Sequence, residues 1–234
     1  MNKIQQEIKD SKEIIKFTYY KDEKELVELT RNNVALAEAI INYDSDYKDA
    51  INKNVEGTSA NVFSQIKNDW NFMGPNEKLK KETIESLIRI IDRENATHLN
   101  ADRCGYEEIV ERLMKCNKKD FEKMLKYPDV DYTLVQILAE KTSSGRRNLS
   151  FASKFCQLFC FNIFEDTEFQ DNYCKYDSVV RRMLPHYQKY FKTPKRILEN
   201  NYKNFCLTID EIITASGSNI SRHGFDQLIW YIYK

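Results

Sequence analysis

Glycine and proline are scarce in this chain, 6 and 4 among 234 residues, and that scarcity argues against architectures built on many tight turns. Leu, Ile, Lys and Glu are plentiful, so long helices with few sharp breaks are expected and the fold class reads as all-α. No stretch approaches the roughly eighteen consecutive apolar residues of a membrane span, which sets a bilayer role aside. The 6 cysteines contain no Cys-x-x-Cys pair, and the opening Met-Asn-Lys-Ile-Gln-Gln-Glu lacks the apolar core of a signal peptide. A reducing cytoplasm is therefore the expected compartment. An excess of either charge is missing as well, since 36 basic side chains face 36 acidic ones. Net charge by itself argues neither for nor against a polyanionic partner.

The distribution of that charge is uneven. From Lys141 to Lys203 there are 12 Lys and Arg against 6 Asp and Glu, a local excess of +6 that the rest of the chain cancels. A basic segment of this kind can neutralise phosphates and favour nucleic acid.

Apolar spacing marks the elements. Leu26, Val27, Leu29, Val34, Leu36, Ala37, Ile40 and Ile41 form a helical stripe interrupted near Arg31-Asn32-Asn33, which predicts two early helices. Asn52 to Ser59 reads as a loop. The stripe Val62, Phe63, Ile66 and Trp70 then predicts a helix that breaks at Gly74-Pro75. Helices follow over Glu77–Arg93, Tyr106–Lys115, Lys119–Tyr127 and Tyr132–Lys141, with a polar break over Thr142–Arg147 before the helix that carries Lys154. Downstream the pattern predicts helices from Ser178 to about Tyr190, from Ile197 to about Phe205, from Ile209 to Ala215 and from Phe225 to Tyr233.

The chemistry-bearing pair lies in the basic segment. Lys154 sits near the start of one helix, and Asp177, 23 residues on, opens the next in Lys-Tyr-Asp-Ser-Val-Val. An amine can attack a sugar C1′, and a carboxylate can stabilise the positive charge that develops as a base departs. Taken singly, a lysine on an amphipathic helix is ordinarily solvated with its stem on apolar neighbours, and an Asp before Ser-Val-Val is ordinarily an N-cap.

The segment from Tyr132 through Leu184 resembles the helix-hairpin-helix DNA glycosylases, the superfamily of the 8-oxoguanine glycosylases and endonuclease III. There a Lys, where present, lies near the start of the hairpin's second helix, and an Asp about twenty residues on opens the following helix; Lys154 and Asp177 match those places. The resemblance implies a two-lobed helical fold with a cleft between lobes, one lobe of about residues 60–165 and the other of 1–59 with 166–234. It implies Lys154 as nucleophile, in its neutral amine form, and Asp177 as the charge-stabilising carboxylate. The family hairpin usually reads Leu-Pro-Gly-Val-Gly, whereas this chain has Asn148-Leu149-Ser150-Phe151-Ala152, so its phosphate contact must be altered. Arg146, Arg147, Asn148, Ser150, Ser153 and Arg181 are the implied DNA contacts. Phe155, Tyr176, Gln227, Trp230 and Tyr231 are the implied walls of a pocket for a flipped base, Gln227 and Tyr231 by likeness to the last helix of the 8-oxoguanine enzymes. No cofactor is implied: Cys156, Cys160 and Cys174 lack the spacing of a cluster site, and His98, His186 and His223 are scattered, so no metal is expected.

The expected function is excision of a damaged or modified base from duplex DNA by a cytoplasmic monomer, with or without Schiff-base strand cleavage. Three rivals stand beside it. One is an anti-phage glycosylase acting on modified phage bases. A second is a non-catalytic DNA-binding module of the same fold, and a third is a helical protein-interaction domain.

Overall fold

The computed structural model describes residues 17–19, 25–51, 59–95, 105–143, 145 and 147–234. The chain divides into two compact units, one of residues 56–176 and one that joins 1–55 to 177–234. Among the described residues it is mostly helical, as the scarcity of turn residues implied.

The continuous unit holds α2 (Ser59–Phe72), α3 (Lys81–Asn95), α4 (Tyr106–Lys115), α5 (Lys118–Lys126), α6 (Thr133–Ala139) and α7 (Leu149–Ile163). Helix α7 is its centre and packs against α2, α3, α5 and α6. Phe151, Phe155 and Phe159 recur every fourth residue, so they stack along one side of α7 and meet rings from other helices. Phe159 lies 5.1 Å from Trp70 and 5.3 Å from Phe121, both edge-on. The end of α2 is held by Lys118, whose ammonium donates to the carbonyls of Trp70 and Met73 at 2.6 and 3.0 Å, placing a cation where a helix leaves its carbonyls unsatisfied.

The discontinuous unit holds β1 (Phe17–Tyr19), β2 (Glu25–Val27), α1 (Arg31–Ile51), α8 (Ser178–Phe191), α9 (Tyr202–Ser216) and α10 (Arg222–Tyr233). Helix α10 packs on α1 and α8, and α8 also packs on α9. At the α1–α10 crossing a Cβ on Gly224 would lie 2.7 Å from Val34, so only glycine lets these helices approach so closely. Ser221 caps α10 by accepting from the Gly224 amide, and Arg222 donates from two nitrogens to Asp210, tying α10 to α9.

Two expectations need correction here. The first early helix is instead a short antiparallel ladder, with Phe17 opposite Val27. A segment as short as Glu25-Leu26-Val27 carries no period of its own. This one becomes a strand because tyrosine side chains complete its backbone bonding: the Val27 amide donates to the Tyr233 hydroxyl at 2.8 Å, and the Tyr187 hydroxyl donates to the Val27 carbonyl at 2.9 Å. The two helices expected over 197–205 and 209–215 are one, α9, which starts at Tyr202 behind its Asn201 cap and runs through a fully buried Thr208. Ile197 lies outside it and is 78 % exposed. The loop expected over Asn52–Ser59 falls, up to residue 58, outside the described residues.

Candidate functional site

Helices α6 and α7 form a helical hairpin, closed where the Asn148 amide donates to the Ala139 carbonyl at 3.2 Å. Asp129 fixes the start of α6 by accepting from the Thr133 amide at 2.8 Å and from its hydroxyl. Those bonds hold the Asp129 carboxyl below its ordinary range, the Thr133 hydroxyl contributing most. Within the turn the Gly145 amide donates to the Thr142 carbonyl at 2.8 Å, with Gly145 at a φ of 75° that suits glycine.

Helix α4 braces this turn at three points, none of which the sequence reading singled out. Gly105, immediately before α4, has a φ of 70°, and a Cβ there would lie 2.3 Å from that of Thr142. Arg112 donates to the carbonyls of Glu140 and Lys141 at 2.8 and 3.2 Å, just past the end of α6. Glu108 accepts from the Ser143 amide with both carboxylate oxygens, at 2.9 and 3.1 Å, and from the Ser143 hydroxyl. The hydroxyl and then the amide hold the Glu108 carboxyl below its ordinary range. The available signal was the acid–base pair one turn apart on α4, but its targets lie 28 to 35 residues downstream.

Lys154 is buried, 5 % exposed, on a helix where eleven of fifteen residues are buried and which therefore offers no solvated stripe. The ordinary reading of a lysine with a solvated head does not describe it. Several other expected residues also turn inward, because α7 is covered on most of its circumference. Ser153, expected to touch DNA, is fully buried: its hydroxyl donates to the Ser150 carbonyl at 3.0 Å and accepts from the Tyr176 amide at 2.9 Å. Asn148 is 4 % exposed, so it too is corrected from a DNA contact to an interior residue. Phe155 is not the wall of an open pocket. It is fully buried, with Phe151, Phe159 and Phe121 ring centroids 5.9 to 6.2 Å away. Ser150 is half-buried, and Tyr176 is buried. Arg147 is exposed and donates to the Gln136 side chain. Arg146 lies outside the described residues.

The remaining expected residues belong to the other unit. Asp177 is the N-cap of α8, its carboxylate accepting from the Val179 amide at 2.7 Å, and it is half-buried. Arg181 is half-buried one turn later. On α10, Gln227, Trp230 and Tyr231 are partly exposed, while Phe225, Leu228 and Ile229 are fully buried and fasten the helix. The Lys234 ammonium stands 4.0 Å from the Trp230 ring centroid. A groove of about 240 Å³ in this unit, lined by residues of 26–30 with Tyr187, Tyr190, Phe191 and Ser216, includes none of the expected pocket residues.

Cys156 and Cys160 are fully buried, and desolvation pushes both thiols up, so they behave as small apolar side chains. Among the described residues no three His, Cys, Asp or Glu side chains converge as a metal site would need. Among them, too, no helix is long and apolar enough to cross a membrane. No family model, no curated protein and no solved structure matches this chain.

Proposed function

We propose that this protein is a DNA glycosylase that flips a damaged or modified base out of the duplex and excises it, with Lys154 as nucleophile and Asp177 as the charge-stabilising carboxylate. The observation that carries the reading is the burial of Lys154 on the second helix of a helical hairpin. Keeping a lysine from water is costly, and a sheltered lysine is the kind whose amine enzymes recruit for imine chemistry. In the proposed step the Lys154 nitrogen lone pair bonds to C1′ of the deoxyribose. The N-glycosidic bond breaks with its electron pair going to the base, which takes up a proton. Loss of a proton from the amine and opening of the sugar ring then leave an imine between Lys154 and C1′. The Asp177 carboxylate balances the charge on the sugar as the base leaves.

The test is borohydride trapping. Wild type and Lys154→Gln are incubated with oxidised, alkylated and uracil-bearing duplexes and with modified phage DNA. A covalent adduct in the wild type, absent in the variant at equal folded fraction by circular dichroism, is the expected result. Free base without adduct would replace the amine by an activated water. Absence of both on every substrate would overturn the enzyme reading.

One observation favours the non-catalytic DNA-binding alternative. Asn148 and Ser153 point into the core, so the exposed cations of the described hairpin are Lys141 and Arg147, which can hold phosphates without any base chemistry. That alternative predicts salt-sensitive binding to every duplex and release of no base.

A further inference from the structure

We infer that Glu108 is an internal stand-in for a phosphate, seated on the amide and hydroxyl of Ser143 in the free protein and exchanged for a phosphodiester oxygen when a nucleic-acid strand docks on the α6–α7 turn. The inference rests on the nucleic-acid reading above.

The geometry separates what shapes the turn from what fills it. Among the described residues of the turn, three sets of bonds do not use Glu108: Gly145 to Thr142 at 2.8 Å, Asn148 to Ala139 at 3.2 Å, and Arg112 to the carbonyls of Glu140 and Lys141, although Arg112 also pairs with the Glu108 carboxylate at 3.8 Å. Arg112 is well covered, its side chain 14 % exposed, as a structural brace should be. The Glu108 side chain is 37 % exposed, so it can swing into water, giving up its 3.8 Å pair with Arg112 along with the Ser143 bonds. What it leaves behind is an amide N–H and a hydroxyl converging on one oxyanion, the donor set that backbone turns offer to phosphate. Ser143 itself is exposed, as are Lys141 and Arg147 on either side of it. Glu108 is anionic at neutral pH, as any ordinary glutamate is, and so competes with phosphate for the Ser143 donors.

A purely structural role and a stand-in role predict opposite signs. Glu108→Gln keeps a weaker acceptor for Ser143 and removes the charge that a phosphate must displace. In the full chain, binding to a fluorescent duplex by anisotropy at low salt should tighten about three- to tenfold, with a steeper loss on adding salt. In the wild type the Ser143 amide resonance should move as duplex is added, which needs no variant at all. Wild-type binding with an equal or weaker Glu108→Gln variant, or with an unmoved Ser143 amide, would overturn the stand-in and leave the DNA reading intact. No binding by either protein at low salt would overturn both.

Discussion

Helices α7 and α8 each open near one residue of the proposed pair, and they treat those residues differently. Helix α8 is a surface helix with one buried stripe, Val180, Met183, Leu184, Tyr187 and Gln188. Asp177 sits at its head with an evident structural task, holding the Val179 amide. Helix α7 is covered on most sides, and Lys154 lies in the covered part with no solvated face to explain it. Asp177 would be needed for the helix whether or not the protein does chemistry. A lysine held at such a position is costly to keep from water, and no helix-capping task of the Asp177 kind accounts for it. The weight of the functional reading therefore rests on the lysine.

The comparison can be broken most sharply at Lys154. Lys154→Met removes the amine and keeps the length. Trapping or base release should fall by about 10³-fold or more at equal folded fraction by circular dichroism. A variant that unfolds while a Lys154→Arg variant stays folded would instead give the lysine a structural task. Next in size, Phe159→Ala should destabilise the continuous unit by about 3–5 kcal/mol in urea unfolding, since its ring packs edge-on against both Trp70 and Phe121. At Asp177 two substitutions part the cap from the charge. Asp177→Ala should cost about 1 kcal/mol of stability, whereas Asp177→Asn caps equally well and should leave stability unchanged while lowering activity. If Asn retains full activity, Asp177 is a cap alone.

The smallest effect is a pH dependence at the hairpin. The Asp129 carboxyl is depressed by its Thr133 bonds, so its contribution is complete above the ordinary aspartate range and is lost as pH falls through the depressed value. Stability should fall below about pH 4, by less than about 1 kcal/mol because the site is exposed. Asp129→Ala should flatten that limb in acid titrations followed by circular dichroism.

Much of the helical layout was legible because breakers stand where helices stop. Gly74-Pro75 follows α2, Pro128-Asp129 follows α5, and the left-handed Gly217 ends α9. The bounds of α4 agree residue for residue with the pattern over Tyr106–Lys115. The strand at Glu25–Val27 was hidden, because its bonding partners are tyrosines 160 and 206 residues away. The inward turn of Asn148, Ser153 and Phe155 was hidden for a different reason. Periodicity shows a face only where a helix has one, and α7 is covered nearly all round. The Glu108 and Arg112 brace joins positions that no local pattern relates.

The unit built from both ends of the chain has a consequence for synthesis. Residues 56–176 leave the ribosome as a contiguous stretch and can condense while α10 is still untranslated. Helix α1 meanwhile lacks the Gly224 surface against Val34, and Val27 lacks the Tyr233 hydroxyl that receives its amide. A nascent chain paused near residue 200 therefore carries a nearly finished product beside an apolar stripe, Val34, Ala37 and Ile40, still without its α10 partner. Chaperone demand should centre on that waiting stripe, and residues of α10 are among those that release it.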